Sequence, residues 1–133
     1  MSRPRRRTEF LVSWPVQGEF HFKSASSELV LSDVYWLWIY RALLEVRDDG
    51  QQLPFVKAAE VGFRDPENLV ETIPVSSRFL ELLQQIPPSL APSFDKLETS
   101  DGSLPPKPEQ ILTELVRLVR EALAEGTIEM AVE

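Results

Sequence analysis

Histidine and carboxylate side chains are the groups with which this chain could perform acid–base chemistry, and they are sparsely placed. His21 is the only histidine, so any imidazole base must be this residue. It lies between Phe20 and Phe22 in the sequence. In a strand, its side chain therefore points to the face opposite to the two phenylalanines. Glu19 and Lys23 share its face, so the pattern predicts an exposed strand histidine. No serine or threonine nucleophile motif accompanies it. We therefore expect no catalytic residues, with a carboxylate pair assembled by the fold as the alternative.

Metal and phosphate sites need clustered ligands or glycine-rich loops, and the sequence has neither. Cysteine is absent, which together with the single histidine argues against zinc, copper and haem sites. The neighbouring acids at 48–49 and 65–67 lack the spacing of a calcium loop, so we interpret them as solvated turn residues. The five glycines are dispersed, so no phosphate loop is present. We expect no metal and no cofactor.

Arginines near the N-terminus are candidates for phosphate contacts. These residues are Arg3, Arg5, Arg6 and Arg7. Each guanidinium is a planar donor suited to phosphate oxygens, but we favour a disordered basic arm over residues 1–7. The chain has 21 acidic and 14 basic residues, so residues 8–133 hold 10 basic against 21 acidic side chains. Such an acidic body disfavours nucleic acid and anionic membranes, which leaves the arm as the only expected nucleic-acid contact.

The most distinctive segment is an apolar helix with many aromatic residues. Residues 32–50 begin with a serine and an aspartate and end with a glycine, which predicts a helix over about 33–49. Its aromatic side chains are Tyr35, Trp36, Trp38 and Tyr40. They widen the apolar surface well beyond the stripe of roughly 100° that a surface helix usually has. We expect these four residues to form a protein interface, because tryptophan and tyrosine are common interface anchors. The competing interpretation is a core helix packed between the sheet and the last helix.

Apolar periodicity along the rest of the chain predicts a single α+β domain over residues 8–133. The predicted elements are two β-hairpins at about 8–23 and 55–75, a C-terminal strand after residue 126, and three helices at about 33–49, 77–86 and 108–125. Two alanines weaken the first strand of the second hairpin, for which a short helix is the alternative. Because hairpins dominate, the sheet should be mainly antiparallel, with the helices largely on one face. We interpret residues 28–31 only as a short extended lead into the first helix.

Residues 87–108 predict an irregular, proline-rich connection. They contain six of the eleven prolines in the chain. Within them, Pro105-Pro106-Lys107-Pro108 is typical of a polyproline ligand for aromatic grooves. It is equally typical of a stiff lead into the last helix, since proline suits the first helical position. We favour the second interpretation.

Together these patterns favour a non-enzymatic protein-interaction module that acts through the aromatic helix, such as an adaptor, assembly factor, inhibitor or small subunit of a complex. We expect the partner to be another protein, with a basic surface that complements the acidic body, or a second copy in a homodimer. No apolar run reaches the ~20 residues of a membrane span, and the lack of cysteine suits a cytoplasmic location. The alternatives are a small ligand-binding domain or enzyme with a pocket between sheet and helices, and a nucleic-acid-associated protein that uses its arginine arm.

Overall fold

The computed structural model describes residues 6–14, 18–45, 47–48, 51–52, 56–57, 70–87, 89, 94, 97–99, 102 and 104–132. In chain order, their regular elements are β1 (Arg6–Phe10), β2 (Val12–Trp14), β3 (Glu19–Lys23), β4 (Ser27–Ser32), α1 (Asp33–Leu44), β5 (Arg47–Asp48), β6 (Gln51–Gln52), β7 (Val70–Pro74), α2 (Ser77–Gln84), β8 (Glu98–Thr99), α3 (Pro108–Ala122) and β9 (Thr127–Val132). These elements form an α+β arrangement, as the sequence predicts.

The main sheet has five strands in the order β1-β4-β3-β9-β7 and is mostly antiparallel. β3 pairs with β4 on one side and with β9 on the other, so Phe22 lies opposite Leu29 and Met130. β7 extends the antiparallel sheet beyond β9, with Ile73 opposite Ile128. The pairing of β1 with β4 is parallel.

The prediction of a hairpin over 8–23 is wrong in its pairing. β1 and β3 run in opposite directions, as in a hairpin, but β4 lies between them and pairs with both. The reason is the apolar run Leu29, Val30 and Leu31, whose side chains are all buried. A strand with apolar side chains on both faces is most stable inside a sheet. β1, which carries exposed arginines, occupies the edge instead.

The chain leaves the main sheet between β1 and β3. There β2 pairs antiparallel with β8, a two-residue strand within the proline-rich connection. The backbone N–H of Val12 donates to Ser32 Oγ at 2.9 Å, which ties β2 to the end of β4. The connection predicted to be irregular therefore contains a short strand that attaches it to the body of the protein.

The predicted second hairpin, over 55–75, is described only in its C-terminal part. β7 forms as predicted, and its antiparallel partner among the described residues is β9. Val56 and Lys57 have helical backbone, which agrees with the alternative of a short helix and not with the favoured strand. Residues 58–69, which include the rest of the first predicted strand and its turn, lie outside the described residues.

All three predicted helices form, and each ends before its predicted residue. α1 ends at Leu44 instead of near residue 49, and the residues that follow pair as the short ladder β5-β6. α2 begins after Ser76, whose Oγ accepts a hydrogen bond from the N–H of Phe79 at 3.2 Å. α3 begins after Lys107, whose backbone N–H donates to Gln110 Oε1 at 2.7 Å. After α3, Gly126 has a φ of 82°, a left-handed conformation that favours glycine and turns the chain into β9.

One apolar core lies between the main sheet and the helices. It combines inward side chains of β3, β4, β7 and β9 with the buried faces of all three helices. In α3, for example, Ile111, Leu115 and Leu118 are buried at helical spacing. The predicted packing of helices largely on one face is confirmed. Within the described residues, no helix combines the length and the apolar character needed to cross a membrane.

Candidate protein-interaction site

Helix α1 carries its aromatic side chains mainly inside the protein. Tyr35 and Trp36 are 0% exposed, Trp38 is 6% exposed, and Tyr40 is half-buried. Trp36 faces the sheet, where its ring centroid lies 4.8 Å from that of Phe22. Three of the four predicted interface residues are thus enclosed within a single chain. Their placement matches the interpretation of α1 as a core helix.

A second side of α1 is covered by the proline-rich connection. Phe94 belongs to that connection and is 4% exposed. Its ring meets Tyr35 edge-on with centroids 5.0 Å apart, and it meets Trp38 at 6.1 Å. Sequence reasoning did not single out Phe94. The available signal was a large apolar residue within a proline-rich stretch, where a purely solvated loop would carry polar side chains.

Two polar atoms lie buried in this aromatic cluster. Among the described residues, neither the hydroxyl of Tyr35 nor the indole N–H of Trp38 has a hydrogen-bond partner. Burial raises the pKa of the Tyr35 hydroxyl above its usual value of 10.0, because desolvation disfavours the phenolate. An unpaired buried polar group costs on the order of 1–3 kcal/mol. The burial of Tyr35 and Trp38 beneath Phe94 therefore carries an energetic cost, because their polar atoms are unpaired.

The described arginines of the predicted arm are engaged within the fold. Arg6 and Arg7 lie in β1 and not in a disordered arm. Arg6 pairs with Glu114 of α3 at 2.6 Å, and Arg7 pairs with Glu9 at 2.6 Å and with Glu28 at 3.8 Å. A phosphate would have to compete with these carboxylates. Arg3 and Arg5, the other two predicted phosphate contacts, lie outside the described residues.

His21 faces away from the apolar core, as its alternation with phenylalanines predicts, but it is 5% exposed and not solvent-exposed. Its Nε2 lies 3.2 Å from Glu19 Oε2, and its Nδ1 lies 3.3 Å from Glu28 Oε1. Two carboxylates hold the ring from both sides, which is an arrangement that fixes a side chain in the sheet. In the described part of the chain, no three histidine or acidic residues are grouped as metal ligands.

The fold also brings Glu121 of α3 and Glu125, which follows the helix, beside the turn between β3 and β4. Glu125 accepts a hydrogen bond from the backbone N–H of Ala25 at 3.2 Å. Glu121 accepts from the hydroxyls of Ser26, at 3.2 Å, and of Ser27. These acids are hydrogen-bonded to a turn, and their contacts attach the last helix to the sheet.

Two spaces near the sheet bear on the alternative of a ligand pocket. Between β1 and α3 lies a space of about 10 Å³, lined in part by Thr8 and Leu118, which is enough for about one water molecule. An open, mostly polar depression of about 220 Å³ lies at the sheet end near Lys23 and Thr127. Drug-sized ligands usually occupy more enclosed, more apolar pockets of roughly 300–1,000 Å³.

One exposed apolar side chain lies in the stretch that leads into α3. We call this stretch, residues 104–108, the proline segment. Leu104 is 90% exposed and is the one exposed large apolar side chain among the described residues. Pro105, Pro106 and Pro108 are half-buried, whereas Lys107 is exposed. The backbone of Lys107 has φ −78° and ψ 151°, which are polyproline II values. The segment therefore presents an extended backbone with an apolar side chain at its start.

No family model, curated protein or solved structure matches this chain.

Proposed function

We propose that this chain is a non-enzymatic protein-binding module, such as an adaptor, assembly factor, inhibitor or small subunit of a complex. Its contact surface includes the proline segment, and the aromatic face of α1 serves the core. The observation that carries the proposal is the 90% exposure of Leu104 at the start of a stiff segment.

A single exposed leucine is ordinary on a protein surface. Leu104 differs because the chain around it is constrained. Proline fixes its own φ near −65°, and it keeps the preceding residue out of the helical region. Leu104 precedes Pro105, so it is presented on a backbone with few accessible conformations. Little entropy is lost when such a segment binds, which makes each apolar contact more effective.

Three of the described titratable groups that could have supported catalysis are engaged in holding the fold. His21 lies between two carboxylates, and Glu121 and Glu125 are hydrogen-bonded to the turn beside α3. These contacts favour a binding role over a chemical one. The net charge of −7 supports a partner with a basic surface beyond the contact made by the proline segment, since opposite potentials steer association.

Quantitative affinity capture from native lysate tests this proposal. The bait is the full chain as wild type, as Leu104→Ser, and as the control Pro87→Ala, which changes an exposed proline in the same connection. We expect a protein that is captured by wild type and Pro87→Ala and is depleted at least about tenfold with Leu104→Ser, because burying a leucine contributes about 1.5–3 kcal/mol. Equal recovery with all three baits would contradict the proposal.

A further inference from the structure

We propose that the proline segment is a polyproline II ligand, and that its partner is a protein with a groove lined by aromatic side chains. This inference rests on the proposed function and identifies the class of partner. Such grooves bind extended Pro-x-x-Pro peptides, and residues 105–108 have that spacing of prolines.

The backbone of the segment is restrained toward the bound conformation before any partner arrives. Leu104, Pro105 and Lys107 each precede a proline, which confines them to extended or polyproline II backbone. The observed φ of −78° and ψ of 151° at Lys107 agree with this restriction. A polyproline II helix has three residues per turn and no internal hydrogen bonds. The segment is thus close to the conformation that an aromatic groove selects.

The exposure of the side chains follows the threefold period of that helix. Leu104 and Lys107 are three residues apart, so they share one edge, and both are exposed. Pro105 and Pro108 share the next edge and are half-buried. A groove can therefore contact one edge fully and the next in part without any change in the fold. The ammonium group of Lys107 favours a partner with a carboxylate beside its aromatic rings.

The segment is attached to the protein at both ends. Upstream, β8 pairs with β2, and Gly102 turns the chain with a φ of 76° and an N–H bonded to Thr99 O at 3.2 Å. Downstream, the backbone N–H of Lys107 donates to Gln110 Oε1 at 2.7 Å at the start of α3. These attachments hold the segment in place, which lowers the ordering cost of binding.

The main-chain acceptors of the segment are also available. Pro105 and Pro106 have no N–H, so they cannot join a strand ladder as donors. Within the described residues, the carbonyls of 104–106 accept no backbone hydrogen bond. Aromatic grooves with indole or phenol donors can bind such carbonyls.

A stiff lead into α3 accounts for only part of this arrangement. That role needs Pro108 at the first helical position, and the structure places it there. It does not require an exposed leucine or two further prolines upstream. The ligand interpretation accounts for these features as well. We therefore add it to the role as a stiff lead into α3, which the sequence alone favoured.

The test is calorimetric titration of the full chain with a panel of purified SH3, WW and EVH1 domains, which all carry aromatic grooves. We expect at least one domain to bind with a Kd in the micromolar range. Leu104→Ser and Pro105→Ala should each weaken that binding at least about tenfold, and Lys107→Glu should weaken it more at low salt than at high salt. The control Pro87→Ala should leave the Kd within about twofold, because an exposed residue outside the contact contributes little.

Circular dichroism and thermal melting of each variant establish that the fold is retained. Absence of binding across the panel, or binding that neither Leu104→Ser nor Pro105→Ala weakens, would overturn the inference. The proposed function is judged separately. If Leu104-dependent capture from lysate persists while no domain of the panel binds, the proline segment contacts a partner of another class.

Discussion

The hydroxyl of Tyr35 illustrates how much depends on a single atom in this fold. It is buried beneath Phe94 and has no hydrogen-bond partner among the described residues. A phenylalanine would fill nearly the same volume without the desolvation cost of that hydroxyl. The residue is therefore one place where the sequence is not optimised for stability.

We predict that Tyr35→Phe stabilises the protein by about 1 kcal/mol, because removing an unsatisfied buried group relieves part of its burial cost. Urea denaturation monitored by circular dichroism measures the change. The matched control is Tyr40→Phe in the same helix, at a half-buried position, which should not stabilise. A Tyr35→Phe variant less stable than wild type would mean that the hydroxyl has a stabilising partner.

The same hydroxyl should make stability depend on alkaline pH. Its pKa in the folded state is raised above the usual 10.0 by desolvation. Above about pH 10 the unfolded chain therefore releases the phenolic proton more readily than the folded chain, and stability falls as pH rises toward the folded pKa. We predict that Tyr35→Phe loses stability less steeply than wild type between pH 9 and pH 11 in urea titrations. Parallel curves for the two proteins would contradict this prediction.

At the residue scale, the sequence indicated which side chains are important for the structure. It did not indicate which residues surround them. The pattern of α1 correctly indicated an unusually apolar helix, but a core helix and a docking helix have the same local pattern. What decides between them is Phe94, a residue about sixty positions away whose contact with Trp38 leaves no local signature. In the same way, His21 has the alternation of an exposed residue but is buried.

At the element scale, the proline-rich connection between α2 and α3 has two roles. Its middle part covers α1 through Phe94, and its last part forms the proline segment. β8 lies between these parts and pairs with β2. Phe94 and the proline segment are thus separated by an attachment point, so we expect a change in one to leave the other in place.

We predict that Phe94→Ala destabilises the protein by about 3 kcal/mol, the usual cost of removing a buried phenylalanine ring. It should also make Trp38 more accessible, with increased acrylamide quenching and a red shift of tryptophan emission. Trp36 packs on the sheet against Phe22, so a variant that combines Phe94→Ala with Trp38→Phe should lose most of the added quenching. If Phe94→Ala leaves the quenching unchanged, residues other than Phe94 cover Trp38.

Local patterns correctly predicted where most strands and helices lie, because alternation, caps and helical spacing act over a few residues. The starts of α2 and α3 follow Ser76 and Lys107, as the capping and proline signals indicated. The insertion of β4 between β1 and β3 was missed because it is a long-range choice. It depends on which strand gains most from burial on both faces, and the short run at 29–31 gave only a weak local signal.

At the scale of the whole molecule, the burial of α1 changes the expected assembly. With Tyr35, Trp36 and Trp38 enclosed, the surface predicted for a homodimer is not free in the single chain. The α+β class and the one-sided packing of helices were predictable, since they follow from the number and order of amphipathic segments. The exposure of Leu104 was not predictable, because it depends on which apolar residues the finished core leaves outside.

We predict that the wild-type protein is a monomer in light scattering at micromolar concentration, with a mass near 15.2 kDa. Phe94→Ala, which uncovers two large aromatic side chains, should shift the distribution toward larger species. Leu104→Ser should remain monomeric like the wild type. A stable wild-type dimer would contradict the prediction of a monomer.

The most direct test concerns Leu104. Once a captured partner has been purified, its Kd is measured by calorimetry with wild type, Leu104→Ser and Pro87→Ala, all shown to have the same melting temperature. We expect Leu104→Ser to bind at least about tenfold more weakly than the other two. Equal affinity of all three proteins would contradict a binding role for the proline segment.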